Sequence, residues 1–265
     1  MTNQNSAASK DVPNIEVQGM RRSQDFEYWG QLEELLESNH HSSKHVLELF
    51  PTYIRRLHMA RFLAHYELFK HAIDLPGCIV ELGVGRGPSF FTWSKLLETF
   101  CTCDRSRKVF GFDHFKGLQD FHEKDGPLNP SVSKTPGGFD TSSVKTELEQ
   151  LVEIHNKDNL LSGVERCRLI EGNLMETIPK FLEENPGLRI SLLHLDVDLY
   201  EPTKFALEHL FPLVVKGGVV AFDEYGLIPW QGESIAAEEY FQKIGYEPVI
   251  KKFPFSGQPH GYLIK

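Results

Sequence analysis

The chain has 265 residues, of which 40% are hydrophobic and 25% are charged, as in an ordinary globular protein. Its formal net charge of −9 argues against nucleic acid or an anionic membrane surface as the partner, and no apolar run reaches the roughly 18–20 residues of a membrane span. The four cysteines show no zinc-ligand or disulfide spacing, so we expect free thiols in a cytoplasmic protein.

The N-terminal part of the chain shows two different patterns. Residues 1–22 are polar and contain no apolar signal core, so we expect a disordered segment and no secretion signal. Residues 23–75 are interpreted as a helical extension. The segment DFEYWGQLEELLES predicts one amphipathic helix, and apolar residues at helical spacing predict a second helix between Pro51 and Ile73.

Strand and helix patterns alternate over residues 76–265, which we assign to one domain. This alternation predicts an α/β fold with a doubly wound, mostly parallel, Rossmann-like sheet of seven strands. The predicted helices lie near Ser89–Thr99, Ser143–His155, Thr177–Glu184, Pro202–Leu213 and Ser234–Lys243. The predicted strands are Cys78–Leu82, Val109–Phe112, Cys167–Ile170, Ile190–Leu195, Val219–Phe222, Glu247–Lys251 and Tyr262–Lys265.

A long segment without clear periodicity, Lys116–Asp140, interrupts this alternation and is rich in Gly, Pro and Asp. Loops of this length in compact domains often form lids or binding elements. We therefore interpret the segment as a loop that belongs to a binding site.

The segment IVELGVGRGPSFF, which follows the first predicted strand, contains a glycine-rich loop. Gly83, Gly85 and Gly87 let the backbone turn sharply and leave room for a ligand against the main chain, with Ser89 at the start of the next helix. Dinucleotide-binding loops follow G-x-G-x-x-G, whereas here Pro88 stands in place of the third glycine. The spacing therefore argues against a dinucleotide.

Further residues at strand ends complete the predicted cofactor site. Glu81 is expected to face the glycine loop, where its charge would favour a cationic group such as the ammonium or sulfonium of S-adenosylmethionine over a diphosphate. Asp113, in VFGFDHFKGL, is placed to accept hydrogen bonds from the two ribose hydroxyls. Gly172 and Asn173, after the third strand, are expected to lie beside the adenine.

Two apolar strands each end in a pair of acids. LLHLDVDLYEPT places Asp196 and Asp198 after one strand, and GGVVAFDEYG places Asp223 and Glu224 after the next. Burying a carboxylate is costly unless something pairs with it. Because ligands of open α/β sheets bind beyond the carboxyl ends of the strands, the four acids are expected to converge beside the methyl group of the cofactor.

Such a cluster of carboxylates indicates a divalent cation, which removes their mutual repulsion. Oxygen ligands select a hard ion, Mg²⁺ first, with Mn²⁺ or Ca²⁺ next. We expect Asp196, Asp223 and Glu224 to bind the metal, with Asp196 also beside the cofactor, and Asp198 to act as the general base toward a substrate hydroxyl. The alternative is that single acids cap helices, as Asp198 would do before the helix near Pro202.

Taken together, the motifs VELGVGRG, GFDHFKGL, GGFDTSSVKTELE, EGNLMETIP and LHLDVDLYEPTKFALEHLFPLVVKGGVVAFDEYG resemble the macrocin O-methyltransferase family over about residues 51–265. The resemblance implies an S-adenosylmethionine- and Mg²⁺-dependent sugar O-methyltransferase of natural-product biosynthesis, with a seven-stranded methyltransferase sheet and a homo-oligomeric assembly. It also implies Asp196, Asp223 and Glu224 as the metal ligands and Asp198 as the base. Two positions depart from many relatives: Glu224 replaces an Asp, which lengthens the reach of that ligand, and Val197 replaces a Gly, which is expected to narrow the acceptor pocket.

The acceptor is expected to be a nucleotide sugar or a glycosylated metabolite, and other functions stay open. One is a catechol-type O-methyltransferase that acts on a phenol. Another is a non-catalytic S-adenosylmethionine-binding protein, against which the four acids argue. The third is an NAD-dependent oxidoreductase, against which Pro88 and Glu81 argue.

Overall fold

The structure is a computed structural model that describes residues 23–265. The segment 1–22, which the sequence predicts to be disordered, lies outside the described residues. The helices are α1 (Ser23–Ser38), α2 (Ser43–Glu48), α3 (Phe50–Tyr53), α4 (Arg56–Ala72), α5 (Pro88–Phe100), α6 (Lys145–Lys157), α7 (Leu174–Glu184), α8 (Tyr200–Leu210) and α9 (Gln231–Ile244). The strands are β1 (Cys78–Leu82), β2 (Val109–Asp113), β3 (Cys167–Glu171), β4 (Ile190–Leu195), β5 (Val214–Phe222) and β6 (Gly261–Ile264).

The six strands form one sheet in the order β3-β2-β1-β4-β5-β6. The strands from β3 to β5 in this order run parallel to one another, and β6 runs antiparallel to β5. Chain order reverses between β1 and β4, which makes the ends of these strands the usual ligand crevice of a doubly wound sheet. The predicted α/β fold with a doubly wound, mostly parallel sheet is therefore confirmed.

The register of the central strands aligns their carboxyl ends. Leu82 of β1 pairs with Leu195 of β4, and Leu195 pairs with Phe222 of β5. Asp196 and Asp223, which follow β4 and β5 directly, consequently lie at the same edge of the sheet. This alignment brings distant parts of the sequence to one place.

Apolar side chains fill both faces of the sheet. One face packs against α7, α8 and α9, and the other against α4 and α5. Helix α4 belongs to this second layer, because Ala64, Leu68, Phe69 and Ala72 have no exposed surface. Burial of this kind contributes roughly 25 cal/mol per Å² of apolar surface and fixes α4 against the sheet.

The seventh predicted strand, Glu247–Lys251, differs from the structure. Within the described part of the chain it forms a single antiparallel bridge, between Lys251 and Tyr262. Pro248 has no N–H to donate to a ladder, and Val249 is 72% exposed. The segment therefore pairs only at Lys251, and the sheet has six strands within residues 23–265.

The N-terminal helices also differ in detail from the expectation. The predicted helix from Pro51 to Ile73 is broken at Ile54 and Arg55, whose backbones are extended, and Arg55 lies over the rings of Tyr28 and Trp29. The boundary drawn at residue 75 stays a prediction. In residues 23–265, none of the helices combines the length and the apolar character needed to cross a membrane.

The segment Lys116–Asp140 is a loop, as predicted, and its two ends are joined by a bridge. Its middle contacts the helical layer beside α8 and α9. Asp125 Oδ1 accepts a hydrogen bond from the backbone N–H of Tyr200, 2.7 Å away, at the start of α8. Lys134 Nζ donates to the carbonyl of Pro229 at 2.6 Å and to the carbonyl of Asp125. These contacts fix the loop as one wall of the crevice.

Candidate functional site

The glycine loop follows β1 and is shaped by positive backbone angles. Gly83 has a φ of +87°, and a Cβ there would lie 1.6 Å from the carbonyl oxygen of Asp196, so only glycine lets the two strand ends approach. At Gly85 an added Cβ would meet no atom within 4 Å, so the space above the loop is open to a ligand. Gly87 has a structural role as the left-handed N-cap of α5, where a Cβ would contact the Phe91 ring at 2.9 Å.

Asp113, at the end of β2, binds the glycine loop directly. Its Oδ2 accepts a hydrogen bond from the N–H of Gly85 at 2.7 Å, and its Oδ1 accepts one from the N–H of Phe115 at 2.6 Å. The carboxylate therefore holds the loop in shape at the point where the ribose was predicted. Its remaining lone pairs are available to hydroxyl donors.

A cavity of about 710 Å³ lies over the strand ends. This volume suits a cofactor together with part of a second ligand. Most of the residues predicted to bind cofactor or metal line it. They are Gly83, Gly85, Ser89, Asp113, Gly172, Asn173, Asp196 and Asp223, and the predicted general base Asp198 lines it as well.

Asn173 lines this cavity and is also the N-cap residue of α7. Its side-chain oxygen accepts a hydrogen bond from the N–H of Met175 at 3.0 Å, which caps α7. Gly172, beside it, has a φ of +136°. The turn between β3 and α7 thus brings both residues to the cavity wall.

Glu81 is placed differently from the expectation, because it does not face the glycine loop. The side chain is fully buried beneath the sheet ends and is absent from the cavity wall. Its Oε2 accepts a hydrogen bond from Trp93 Nε1 at 2.7 Å and lies 3.3 Å from His194 Nδ1. Burial raises the pKa of Glu81 above its ordinary value, and the contact with His194 opposes this rise.

Asp196 and Asp223 come together as predicted, and an arginine from α4 joins them. Arg61 Nη2 donates to Asp196 Oδ2 at 3.3 Å and to Asp223 Oδ2 at 3.1 Å. Burial raises the pKa of Asp223, but Arg61 and His194 outweigh this effect and hold it below its ordinary value. Burial and the charge of Asp223 raise the pKa of Asp196 well above its ordinary value.

Glu224 lies behind this pair rather than on the cavity wall. Its Oε1 accepts a hydrogen bond from Gln258 Nε2 at 2.8 Å, and its backbone N–H donates to Glu233 Oε1 at 2.9 Å. Both glutamates are fully buried. Burial and the neighbouring carboxylates raise the pKa of each well above its ordinary value.

Asp198 combines backbone strain with an unsatisfied oxygen. Its φ of +61° is uncommon for a residue other than glycine. Its side chain is buried, and its Oδ1 has no hydrogen-bond partner among the described residues. Burial, together with the charge of Asp223, raises the pKa of Asp198 to about 7, which suits a base that works near neutral pH.

The donor set fits a divalent cation. Besides Asp198 Oδ1, the buried oxygens Glu224 Oε2 and Glu233 Oε2 have no hydrogen-bond partner in residues 23–265. Asp196, Asp223 and His194 offer ligand atoms that all lie within 4.8 Å of one another. An excess of carboxylate oxygens over buried cations is what a hard ion such as Mg²⁺ would neutralise.

Three buried residues that contact this cluster are not among the site residues predicted from the sequence. The sequence indicates a role for His194, because a polar residue within the apolar strand LLHL needs a hydrogen-bonding partner. Glu233 stands in the first turn of α9, where an acid is expected anyway. Gln258 lies in an irregular C-terminal segment and gave no signal.

Much of the sequence is similar to known methyltransferases. The sequence model of the Macrocin-O-methyltransferase (TylF) family matches residues 50–251. The 8-demethyl-8-(2,3-dimethoxy-alpha-L-rhamnosyl)-tetracenomycin-C 4'-O-methyltransferase of Streptomyces olivaceus is 31% identical over 157 residues, 59% of this chain and 56% of that protein. Demethyldecarbamoylnovobiocin O-methyltransferase of Streptomyces niveus is 31% identical over 156 residues, 59% of this chain and 55% of that protein. The alignments thus span little more than half of these two relatives.

Solved structures extend the similarity to nearly the whole chain. The crystal structure of the calicheamicin methyltransferase CalS11 superimposes with a TM-score of 0.83 and 29% identity, over 97% of this chain and 99% of that one. An apo structure of CalS11, a TDP-rhamnose 3'-O-methyltransferase, gives a TM-score of 0.73 at 29% identity, over 92% and 95% of the two chains.

Proposed function

We propose that this chain, which belongs to the macrocin O-methyltransferase family, transfers a methyl group from S-adenosylmethionine to a sugar hydroxyl. The observation that carries the proposal is the shared cavity. The glycine loop, Asp113, the two acids after β4 and Asp223 after β5 all reach it. The acceptor is a nucleotide sugar or a glycosylated metabolite, which the names of the relatives support.

The cofactor would lie over the glycine loop. The open space at Gly85 admits a ligand close to the main chain, and Asp113 would accept hydrogen bonds from the ribose hydroxyls. Gly172 and Asn173 would border the adenine from the β3 side. Glu81 would not contact the cofactor and would support the site only indirectly, through its buried contacts with Trp93 and His194.

Asp196, Asp223 and Glu224 would hold Mg²⁺, or Mn²⁺ in its place. The unpaired buried oxygens of the cluster support this assignment. A divalent cation at this site would lower the pKa of an acceptor hydroxyl. His194 is a poor ligand, since both of its ring nitrogens already contact carboxylates.

Asp198 would then act as the general base. Its carboxylate takes the proton of the acceptor hydroxyl, and the hydroxyl oxygen forms a bond to the methyl carbon as the carbon–sulfur bond breaks. The products are the methyl ether and S-adenosylhomocysteine. The strained backbone and the unpaired oxygen of Asp198, on the cavity wall, support this role.

The test is a panel of nucleotide sugars and glycosides incubated with methyl-labelled S-adenosylmethionine. We expect label transfer to at least one sugar hydroxyl, loss of transfer with EDTA, and recovery with Mg²⁺ or Mn²⁺. Full turnover after exhaustive chelation would show that the acids serve another purpose. In a thermal-shift assay, S-adenosylhomocysteine should raise the melting temperature and NAD should not, and stabilisation by NAD alone would overturn the proposal.

We also propose a cytoplasmic homo-oligomer. The four free cysteines support a reducing compartment. Large apolar side chains on the N-terminal helices support an assembly, since Phe26 is 64% exposed, Leu47 72% and Phe50 43%. Light scattering coupled to size-exclusion chromatography measures the oligomeric state, and a monomer at micromolar concentration would contradict it.

A further inference from the structure

Arg61 directly contacts two of the three residues that we propose as metal ligands and is linked to the third through Gln258. Its Nη2 donates to Asp196 and Asp223, at 3.3 and 3.1 Å. Its Nη1 donates to Gln258 Oε1 at 2.8 Å, and Gln258 passes the contact on to Glu224 at 2.8 Å. One guanidinium thus bridges the Asp196 and Asp223 carboxylates.

This position is incompatible with a metal ion on the same oxygens. The Asp223 side chain is only 1% exposed, whereas those of Arg61 and Asp196 are 22% and 24% exposed, so water screens the charges only in part. Two cations on one carboxylate pair repel each other strongly at such distances. The carboxylate oxygens that accept from Arg61 belong to two of the residues that would hold the ion.

We propose that Arg61 and the divalent cation compete for the carboxylates of Asp196 and Asp223. Arg61 thereby sets the affinity for the metal. When the metal binds, the Arg61 side chain moves into the acceptor cavity. The inference rests on the proposed metal dependence of the enzyme. Arg61 already lines the cavity, so its side chain borders the space into which it would move. The released guanidinium would offer planar donors to hydroxyl or phosphate oxygens of that ligand.

The rest of α4 is held in place, which confines the exchange to the side chain. Ala64 and Leu68, one and two turns further along, have no exposed surface. The C-terminal end of α4 is bound by Arg107, which donates to the carbonyls of Ala72 and Ile73 at 2.9 and 2.8 Å. The helix therefore presents Arg61 to the cluster without having to move.

The first test compares Mn²⁺ binding by the wild type, Arg61→Gln and Arg61→Lys, measured by calorimetry in the absence of substrates. We expect Arg61→Gln to bind Mn²⁺ about 5–150-fold more tightly, the usual range of coupling between two binding events, and Arg61→Lys to stay closer to the wild type because it keeps the charge. Equal or weaker binding by Arg61→Gln overturns the role of Arg61. Absence of Mn²⁺ binding by all three proteins overturns the proposed metal dependence as well.

The second test uses the unmodified protein and does not depend on the folding of a variant. Phenylglyoxal labels accessible arginines, and peptide mass spectrometry reports each site separately. We expect Mg²⁺ to increase the labelling of Arg61 severalfold. Arg86, which is exposed on the glycine loop in the same cavity, is the internal control and should not change. Labelling of Arg61 that is unchanged or reduced by Mg²⁺ overturns the exchange.

Discussion

The imidazole of His194 lies 3.2 Å from the carboxylate of Asp223, measured from Nε2 to Oδ1, with both side chains buried. Its other nitrogen faces Glu81 at 3.3 Å. Ionised carboxylates only accept hydrogen bonds, so this arrangement favours an imidazolium that donates on both sides. Burial alone lowers the pKa of His194, but the hydrogen bonds to Asp223 and Glu81 outweigh it and raise the pKa to about 10.

The first prediction is a pH-dependent contribution of His194 to stability. A group whose pKa is raised by folding stabilises the folded protein fully at pH values below its unfolded pKa, which is near 6.5 for histidine. For His194 this contribution is lost as the pH rises through the folded-state pKa of about 10. His194→Gln should therefore lower the free energy of unfolding most at pH 6–7 and progressively less toward pH 10. Urea unfolding of both proteins across this range measures the difference, with exposed His71→Gln as control. A difference that is constant with pH would show that His194 contributes through packing alone.

The second prediction concerns Asp113. Its carboxylate binds the N–H groups of Gly85 and Phe115, so Asp113→Ala removes both the proposed ribose acceptor and the support of the glycine loop. Hydrogen bonds to a charged group contribute about 1.5–3 kcal/mol, so S-adenosylhomocysteine should bind about 10–100-fold more weakly, while metal dependence is kept. Calorimetric titration measures this change. Asp140→Ala, at the other end of the long loop, is the control, and equal affinities for the two variants would rule out the role of Asp113.

The order of strands and helices was predictable from the sequence because apolar periodicity and turn residues are local signals. The five helices of the α/β domain and five of the strands lie close to their predicted positions. β5 starts at Val214 rather than Val219, because Gly217 and Gly218 obscure the apolar pattern and the register shifts there. Strand formation at Glu247–Lys251 depends on partners that the local sequence does not reveal.

The side-chain contacts of the site depend on register and could not be read from the sequence. Glu81 and His194 are cross-strand neighbours in the β1–β4 ladder and so lie on one face, which turns Glu81 away from the glycine loop. Arg61 lies more than 130 residues before Asp196, and only the packing of α4 on the sheet brings it to the acids. The convergence of Asp196 and Asp223, by contrast, followed from the rule that parallel strands end together.

The third prediction concerns the wall formed by the long loop. Asp125 Oδ1 accepts from the first N–H of α8, and Oδ2 accepts from the N–H of His122. Asp125→Ala leaves a buried donor unsatisfied at Tyr200, which should lower the free energy of unfolding by about 1–3 kcal/mol. Asp125→Asn keeps one acceptor and should cost less. Urea unfolding gives both values, and an Asp125→Ala protein as stable as the wild type would show that the loop is not held by this contact.

The last prediction separates the roles of Asp196 and Asp198. Asp198→Asn keeps the size of the side chain but cannot take a proton, so it should retain the affinity for S-adenosylhomocysteine and for metal and lose turnover by roughly 10²–10⁴-fold. Asp196→Asn weakens the proposed metal site, so it should raise the Mg²⁺ concentration needed for half-maximal activity. Because both residues lie in one cluster with Asp223, their effects should not add in the double variant.

The informative measurement is the rate as a function of Mg²⁺ concentration for the two single variants and the double variant. High Mg²⁺ should restore part of the activity of Asp196→Asn, because mass action fills a weakened site. It should not restore Asp198→Asn, because added metal cannot replace a missing base. The pH profile gives an independent check, since the rising limb that reports the base should be present in Asp196→Asn at saturating Mg²⁺ and absent from Asp198→Asn. Rescue of Asp198→Asn by Mg²⁺, without rescue of Asp196→Asn, would mean that Asp198 binds the metal and Asp196 takes the proton.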